Sequence, residues 1–347
     1  MNPLILSIST LSLGLGTTMT LIASHWLLVW AGLEINTMAI IPLMIHQHHP
    51  RATEATTKYF LIQATASALL LFASITNAWS TGQWNLMDTL NPPSTTLLSI
   101  ALALKIGLAP LHFWLPEVLQ GLTLTTGLIM TTWQKIAPFT ILLQLSPLLN
   151  PTLLITMGTL SVIIGGWGGL NQTQLRKILA YSSIAHIGWM TIILHYSPHL
   201  ALLNLIIYII MTSSLFLLLN YSNSTKINSI ATSSTKSPLL TITTMLTLLS
   251  LGGLPPLTGF MPKWLILQEM TKQSLFITAS VIALATLLSL FFYLRLCYTL
   301  TLTLPPTPIT FSSSWRTKPQ PHLIMIMTSP LSLLLLPLTP MMTSLMM

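Results

Sequence analysis

Long apolar stretches separated by short polar segments follow one another along the whole chain. The first stretch runs from Pro3 to Ala23, and the others centre near residues 35, 69, 103, 134, 160, 185, 209, 247, 285 and 334. Because about twenty apolar residues suffice for a helix to cross a bilayer, the pattern predicts about eleven transmembrane helices. The first stretch has no basic region before it and no small-residue cleavage site after it, so we expect a retained helix.

Composition supports this interpretation. The 347 residues are 52% hydrophobic and only 5% charged, and the mean hydropathy is +0.77. A soluble domain usually carries about a quarter charged residues, which it needs to cover its water-facing surface. We therefore predict an all-α polytopic membrane protein in which residues 1–347 form a single transmembrane domain.

Several classes of site are excluded by what the sequence lacks. Its one cysteine, Cys297, excludes a disulfide framework, a cysteine-based zinc site and an iron–sulfur cluster held by this chain alone. No Ser-His-Asp, HExxH or Walker pattern is present, so we expect no catalytic site within the chain. Gly165–Gly169 is rich in glycine but has no βαβ context, which favours close helix packing over nucleotide binding.

Loop charges predict the orientation in the membrane. Numbering the predicted spans from the N-terminus, the loops after even spans are basic, whereas those after odd spans hold Lys272 with Asp88 and Glu269. Short basic loops stay on the inner side of a membrane. We therefore expect the N-terminus on the inner, matrix-like side and the C-terminus on the outer side. The basic residues are Arg51, Lys58, Arg176, Lys177, Lys226, Lys236, Arg316 and Lys318, with Arg295 at the adjoining helix end.

A short motif occurs twice. Gly107–Glu117 and Gly253–Lys263 share Gly, Leu, Pro, Leu and Pro at the same spacing. They follow predicted spans four and nine, so they have opposite orientations in the membrane. Paired Gly/Pro-interrupted helices in inverted repeats are typical of transport sites, although Pro-Gly clusters also mark ordinary helix ends. The predicted repeats cover about residues 95–220 and 238–300, followed by a C-terminal helix at about 323–345.

Four ionisable residues lie within apolar stretches: Glu34, Lys105, Lys135 and Lys263. A charge at membrane depth costs at least a few kcal/mol, so such residues usually mark an ion or proton path. We expect a turn at Pro116–Gly121 to hold Lys105 and Lys135 at similar depth, near Glu34. Burial promotes the release of a proton from lysine, and a nearby carboxylate opposes it. For Lys263, the alternative is that the side chain extends to the interface.

Two histidines are further candidates for a proton path. His112 lies inside the first interruption, and His186 lies within a predicted span near Ser182 and Ser183. Neutral histidine both donates and accepts hydrogen bonds, as a relay requires, but a buried structural histidine fits the same pattern. Three more histidines, His46, His48 and His49, lie in one polar loop; a solvated loop explains them better than a metal site.

Five segments of the sequence resemble a known family. They are Trp30–Asn36, Ala52–Ala55 with Lys58–Phe60, Leu104–Trp114, Gly168–Gln174 and Gly252–Phe260. On these segments, the chain resembles the antiporter-like membrane subunits of respiratory complex I, and in particular the chain 2 family of NADH–ubiquinone oxidoreductase encoded in animal mitochondria. The similarity covers nearly the whole length, and only the part after about Leu304 matches loosely.

The resemblance implies a function. It implies an antiporter-like fold in the mitochondrial inner membrane and proton translocation coupled to electron transfer from NADH to ubiquinone. Its proton-path residues fall on Glu34, Lys105, Lys135 and Lys263. NADH, FMN, iron–sulfur clusters and ubiquinone would be used elsewhere in the complex, so no cofactor or metal is expected in this chain.

The expected partners follow from the same resemblance. They are neighbouring antiporter-like and small membrane-arm subunits and lipids, and not nucleic acid. The animal form is expected to lack N-terminal helices that bacterial relatives carry, so that partners cover part of the first half. Two alternatives remain open: a free-standing cation/proton antiporter, and a structural spacer within the membrane arm.

Overall fold

The computed structural model describes residues 3–46, 48–88, 90–231, 238–302 and 323–346, and in these ranges the chain is all-α. Two isolated backbone bridges, His25 with Asn85 and Gln174 with Lys226, are the β-type pairings within the described ranges. The helices are α1 (Pro3–Ile22), α2 (Trp26–Ile45), α3 (Pro50–Thr81), α4 (Pro92–Ile106), α5 (Trp114–Gly121), α6 (Leu124–Thr131), α7 (Trp133–Leu145), α8 (Pro151–Gly169), α9 (Leu175–Ile193), α10 (Pro198–Tyr221), α11 (Ile227–Ala231), α12 (Pro238–Gly252), α13 (Phe260–Lys272), α14 (Phe276–Thr301), α15 (Leu323–Leu334) and α16 (Thr339–Met346).

Six of the described helices are long and apolar enough to cross a membrane: α1, α2, α3, α8, α10 and α14. They contain the predicted span centres near residues 13, 35, 69, 160, 209 and 285. These helices confirm a multi-pass membrane protein. The pair α15–α16 adds a seventh span if it is counted as one, with a bend of 67° between its halves.

Of the remaining predicted centres, the one near residue 185 lies in α9, which has 19 residues but is not among the six spans. The other centres lie in shorter or interrupted helices. Helices α4 and α12 have 15 residues each, and the predicted span near residue 134 is divided at Thr132 into α6 and α7. The prediction of a turn at Pro116–Gly121 is wrong, because these residues form most of helix α5. Proline is tolerated in the first turn of a helix, where its missing N–H has no partner to lose. Pro116 occupies that turn.

The chain forms two compact units. Unit 1 contains 1–161 and 191–198, and unit 2 contains 162–190 and 199–347. In unit 1, α2 packs between α1 and α3, and α3 also contacts α4 and α5. In unit 2, α14 contacts α11, α12 and α13. Lys236, Arg316 and Lys318 of the predicted inner loops lie outside the described residues.

The glycine-rich segment is part of α8, and its glycines allow close helix contact within unit 2. A Cβ on Gly165 would lie 2.8 Å from the backbone nitrogen of Ala185 in α9, and one on Gly169 would lie 2.8 Å from the Phe292 ring in α14. Larger residues would separate these helices. The predicted packing role is confirmed.

One histidine of the polar loop also has a structural role. His49 precedes α3, and its Nδ1 accepts a hydrogen bond from the backbone N–H of Arg51 at 3.1 Å. The first N–H groups of a helix have no partner within it, so a side-chain acceptor at this position stabilises the helix start.

Candidate functional site

The first interruption separates α4 from α5. Helix α4 ends at Ile106 because Gly107 adopts a left-handed conformation, with φ of 84°. The Gly107 and Leu108 N–H groups both donate to the Ala103 carbonyl at 2.9 Å, and the Ala109–Pro110 peptide bond is cis. The chain becomes helical again at Trp114.

Two side chains bind the carbonyl groups released at the end of α4. The Trp114 indole N–H donates to the Leu104 carbonyl at 3.2 Å, and Gln63 Nε2 donates to the Lys105 carbonyl at 3.4 Å. Backbone groups without partners are costly at membrane depth. These side-chain donors therefore make the interruption tolerable.

Lys105 and Lys135 line the same small cavity in unit 1. Both lysines are buried, and the cavity has about 20 Å³ of room for water, enough for about one molecule. Lys105 Nζ has no hydrogen-bond partner among the described residues. The other lining residues are Leu33, Asn36, Thr37, Tyr59, Gln63, Ile106, Trp114, Met130, Gln134, Ala137 and Pro138.

The two lysines occupy opposite ends of their helices. Lys105 is in the last turn of α4, whereas Lys135 is the third residue of α7, directly after the break at Thr132. Helix C-termini favour a cation and helix N-termini disfavour one. Neighbouring Gln134 donates to the Asn36 carbonyl at 3.1 Å, which ties the start of α7 to α2.

Glu34 does not line this cavity, although Leu33, Asn36 and Thr37 of the same helix do. Its side chain lies instead on an open apolar groove between α1 and α2. One carboxylate oxygen, Oε2, is buried without a hydrogen-bond partner among the described residues. The carboxylate of Glu34 is still close enough to attract the ammonium of Lys105. The predicted three-residue cluster is therefore a lysine pair with a carboxylate outside their cavity.

The other predicted residues of the first interruption are separate from the lysine cavity. The buried His112 ring contacts the Phe113 ring at a centroid distance of 4.3 Å and does not line the cavity. Glu117, the last residue of the first copy of the motif, is exposed and accepts a hydrogen bond from Lys58 at 2.8 Å.

The second interruption, in unit 2, has the same backbone design. Helix α12 ends at Gly252, and Gly253 has φ of 80°. The Gly253 N–H donates to the Leu249 carbonyl at 3.1 Å, the Pro255–Pro256 bond is cis, and helix α13 begins at Phe260.

Lys263 extends back across this interruption. Its Nζ donates to the Gly252 carbonyl at 2.8 Å and to the Leu251 carbonyl at 3.4 Å. The lysine thus binds the carbonyl end of α12 from the first turn of α13. It donates to the end of α12 as the side chains of Trp114 and Gln63 donate to the end of α4 at the first interruption.

Lys263 and His186 line a second cavity within unit 2. It has about 10 Å³ of room for water, close to the lower limit for one molecule. Ala185, Trp189, Ser289 and Tyr293 complete the lining, and the His186 ring contacts the Tyr208 ring at 5.5 Å. The structure therefore brings together His186 of the predicted path and Lys263.

Comparison with known proteins identifies the family. Residues 23–289 match the family model described as NADH:quinone oxidoreductase/Mrp antiporter, TM, and residues 290–343 match NADH dehydrogenase subunit 2 C-terminus. NADH-ubiquinone oxidoreductase chain 2 of Squalus acanthias is 73% identical over 341 residues, which cover 98% of each chain. The chain belongs to the NADH-ubiquinone oxidoreductase chain 2 family.

Solved structures show the fold of this chain 2 family member. A chain of respiratory complex I from Thermus thermophilus, solved with bound aureothin, matches with a TM-score of 0.87 and 28% identity, covering 97% of this chain and 78% of that one. A chain of the Mrp complex from Dietzia sp. matches with a TM-score of 0.85 at 16% identity, covering 97% and 76%. The second likeness shows a shared fold alone.

Sequence reasoning missed the uncharged polar residues of both cavities in this chain 2 protein. Asn36, Gln63 and Gln134 lie on the first cavity, and Ser289 and Tyr293 lie on the second. An amide side chain within an apolar helix could have been recognised in the sequence as a candidate, because a buried polar group needs a hydrogen-bond partner. Serine and tyrosine are common in such helices, so they carry little signal.

Proposed function

We propose that this chain is a proton-translocating core subunit of respiratory NADH–ubiquinone oxidoreductase in the mitochondrial inner membrane. Within that complex it transfers protons across the membrane while electrons pass from NADH to ubiquinone. One observation carries the proposal: each of two interrupted helices has a lysine beside a cavity with room for water. Membership of the chain 2 family supports the same activity.

The proposed path begins at Glu34, Lys105 and Lys135 and leads outward by way of Lys263, with His112 and His186 as relays. Support comes from the shared cavity of Lys105 and Lys135 and from their opposite helix-end positions. The helix end at Lys105 favours the protonated lysine, whereas the helix start at Lys135 favours release of the proton. A change in the nearby charge can therefore move a proton between the two lysines. Glu34 supplies such a charge, because its Coulombic interaction reaches Lys105.

We further propose one antiporter-like domain of about eleven spans with two inverted repeats. The matching bond patterns at Gly107 and Gly253 support the repeats. The charges of the loops support an N-terminus on the matrix side and a C-terminus on the intermembrane side. In this arrangement each interrupted helix is the centre of one half of the proton path.

The partners we propose are neighbouring antiporter-like and small subunits of the membrane arm, together with lipids. Helix α1 supports this, because it exposes Leu4, Ile8, Leu11 and Leu15 by 62–67% each. Large exposed apolar faces mark contact with lipid or with another protein. We propose that NADH, FMN, iron–sulfur clusters and ubiquinone bind to other subunits, and that this chain binds no cofactor, metal or nucleic acid.

Lys135→Met tests the function. In an assembled complex reconstituted into liposomes, we expect fewer protons translocated per NADH oxidised, because methionine fills similar space but carries no proton. Lys272→Met is the matched control, since Lys272 is an exposed lysine that pairs with Glu269 at the end of α13; it should leave the ratio unchanged.

Two outcomes would contradict the proposal. An unchanged ratio in Lys135→Met would indicate a structural spacer. Proton transport by the purified chain without partners would indicate a free-standing antiporter.

A further inference from the structure

Tyr293 of α14 is a buried tyrosine, 2% exposed. Its hydroxyl makes no well-aligned hydrogen bond within the described residues, although it interacts with the Ser182 side chain of α9. A buried hydroxyl without a well-formed hydrogen bond is costly. Neighbouring Phe292, 1% exposed, provides similar aromatic packing without that cost. Packing alone therefore does not explain the hydroxyl.

The position of Tyr293 connects it with the second interruption. Its side chain lines the cavity shared by Lys263 and His186. The ring also lies beside Gly252, since a Cβ on that glycine would be 3.7 Å from Tyr293 Cδ2. The Gly252 carbonyl is the acceptor of the 2.8 Å hydrogen bond from Lys263. Tyr293 thus borders the cavity beside the carbonyl that Lys263 binds.

The cavity offers several polar partners to one water molecule. Lys263, His186, Ser289 and Tyr293 all line it, and its volume of about 10 Å³ is close to what one water needs. A buried water usually makes about three hydrogen bonds to groups of this kind. The geometry favours a single water bound to the Tyr293 hydroxyl.

We infer that Tyr293 is a relay residue that carries protons between Lys263 and His186 through this cavity. The inference rests on the proposed function and assigns a further residue to its second half. Tyrosine suits the role because its hydroxyl both donates and accepts a hydrogen bond.

The transfer conserves protons at each step. The Lys263 ammonium gives a proton to the cavity water, which passes one of its own to the Tyr293 oxygen. As that bond forms, the original hydroxyl proton leaves for His186, so tyrosine and water end neutral. The result is one proton moved from lysine to imidazole, and rotation of the hydroxyl restores the starting arrangement.

Tyr293→Phe tests the inference, because it removes the hydroxyl and keeps the ring. In the assembled, reconstituted complex, we expect proton transfer through this chain to slow by about 10²-fold or more, the usual effect of losing a positioned proton-transfer group. Protons translocated per NADH oxidised should fall, with thermal stability unchanged. Tyr298→Phe is the matched control, because Tyr298 lies on the same helix and is 58% exposed.

The possible outcomes separate the two proposals. Normal pumping in Tyr293→Phe, with Lys135→Met defective, would overturn the relay and leave the proposed function standing. Normal pumping in both variants would overturn the proposed function and the relay with it. Loss of pumping together with reduced assembly would indicate a packing role and overturn the relay. A high-resolution map of the complex provides an independent check: the relay requires a water within hydrogen-bonding distance of the Tyr293 hydroxyl.

Discussion

The two interrupted helices share a backbone design but differ in where they carry charge. In each, a 15-residue helix begins with proline, ends before a left-handed glycine and becomes helical again seven residues after it. Lys105 lies two residues before Gly107, whereas Lys263 lies ten residues after Gly253. At the first interruption, the position ten residues after the glycine is Glu117, which is exposed and bonded to Lys58.

This difference determines what each lysine binds. At the first interruption, Trp114 and Gln63 satisfy the helix carbonyls, and Lys105 Nζ remains without a partner among the described residues. At the second, Lys263 itself is a donor to the helix carbonyls. Lys105 therefore has one role, as a buried ionisable group. Lys263 has two, because it also completes the end of α12.

Replacing each lysine with methionine should separate these roles, and we expect these variants to show the largest changes. Both Lys105→Met and Lys263→Met should lower the number of protons translocated per NADH oxidised. Only Lys263→Met should also lower thermal stability, by about 1–3 kcal/mol, since it leaves buried carbonyls without a donor. Lys105→Met breaks no hydrogen bond of the side chain within the described residues, so we expect a smaller change in stability.

Thermal disassembly of the isolated complex, followed on native gels, measures the stability part of this prediction. Lys272→Met, on the same helix as Lys263 but exposed, controls for loss of a lysine from α13. Equal stability of the two methionine variants would contradict the distinction between the interruptions.

Gln63→Met tests how the first interruption is stabilised. It removes the side-chain donor of the Lys105 carbonyl, so we expect a loss of about 1 kcal/mol in stability. Ser67→Ala is the matched control, because Ser67 is also buried on α3 but, among the described residues, donates its hydrogen bond to the Ala64 carbonyl of its own helix. Equal thermal midpoints for the two variants would show that Gln63 does not support the first interruption.

Both interruptions could be predicted from the sequence, because glycine and proline act locally on the backbone. The division at Thr132 could not, since Met130–Lys135 contains neither residue and reads as continuous helix. That division places Lys135 in the first turn of a helix instead of the middle of one. Only the folded chain reveals this electrostatic difference.

The sequence predicts how far along α2 Glu34 lies, but it does not predict which face of the helix carries it. Glu34 and Asn36 are two residues apart, and on a helix such residues do not share a face. Asn36 lines the lysine cavity, and Glu34 lines the groove against α1. Because α2 packs between α1 and α3, the sequence alone does not decide which face meets the lysines.

Lys58→Met concerns the exposed ion pairs at the first interruption and should have the smallest effect. Lys58 binds Glu54 at 2.7 Å and Glu117 at 2.8 Å, which connects the start of α3 with α5. Exposed ion pairs contribute little and are screened by salt. We expect normal pumping and a slight decrease in the thermal midpoint that disappears at high ionic strength. A pumping defect as large as that of Lys105→Met would instead mean that the exposed charges of this interruption belong to the proton path.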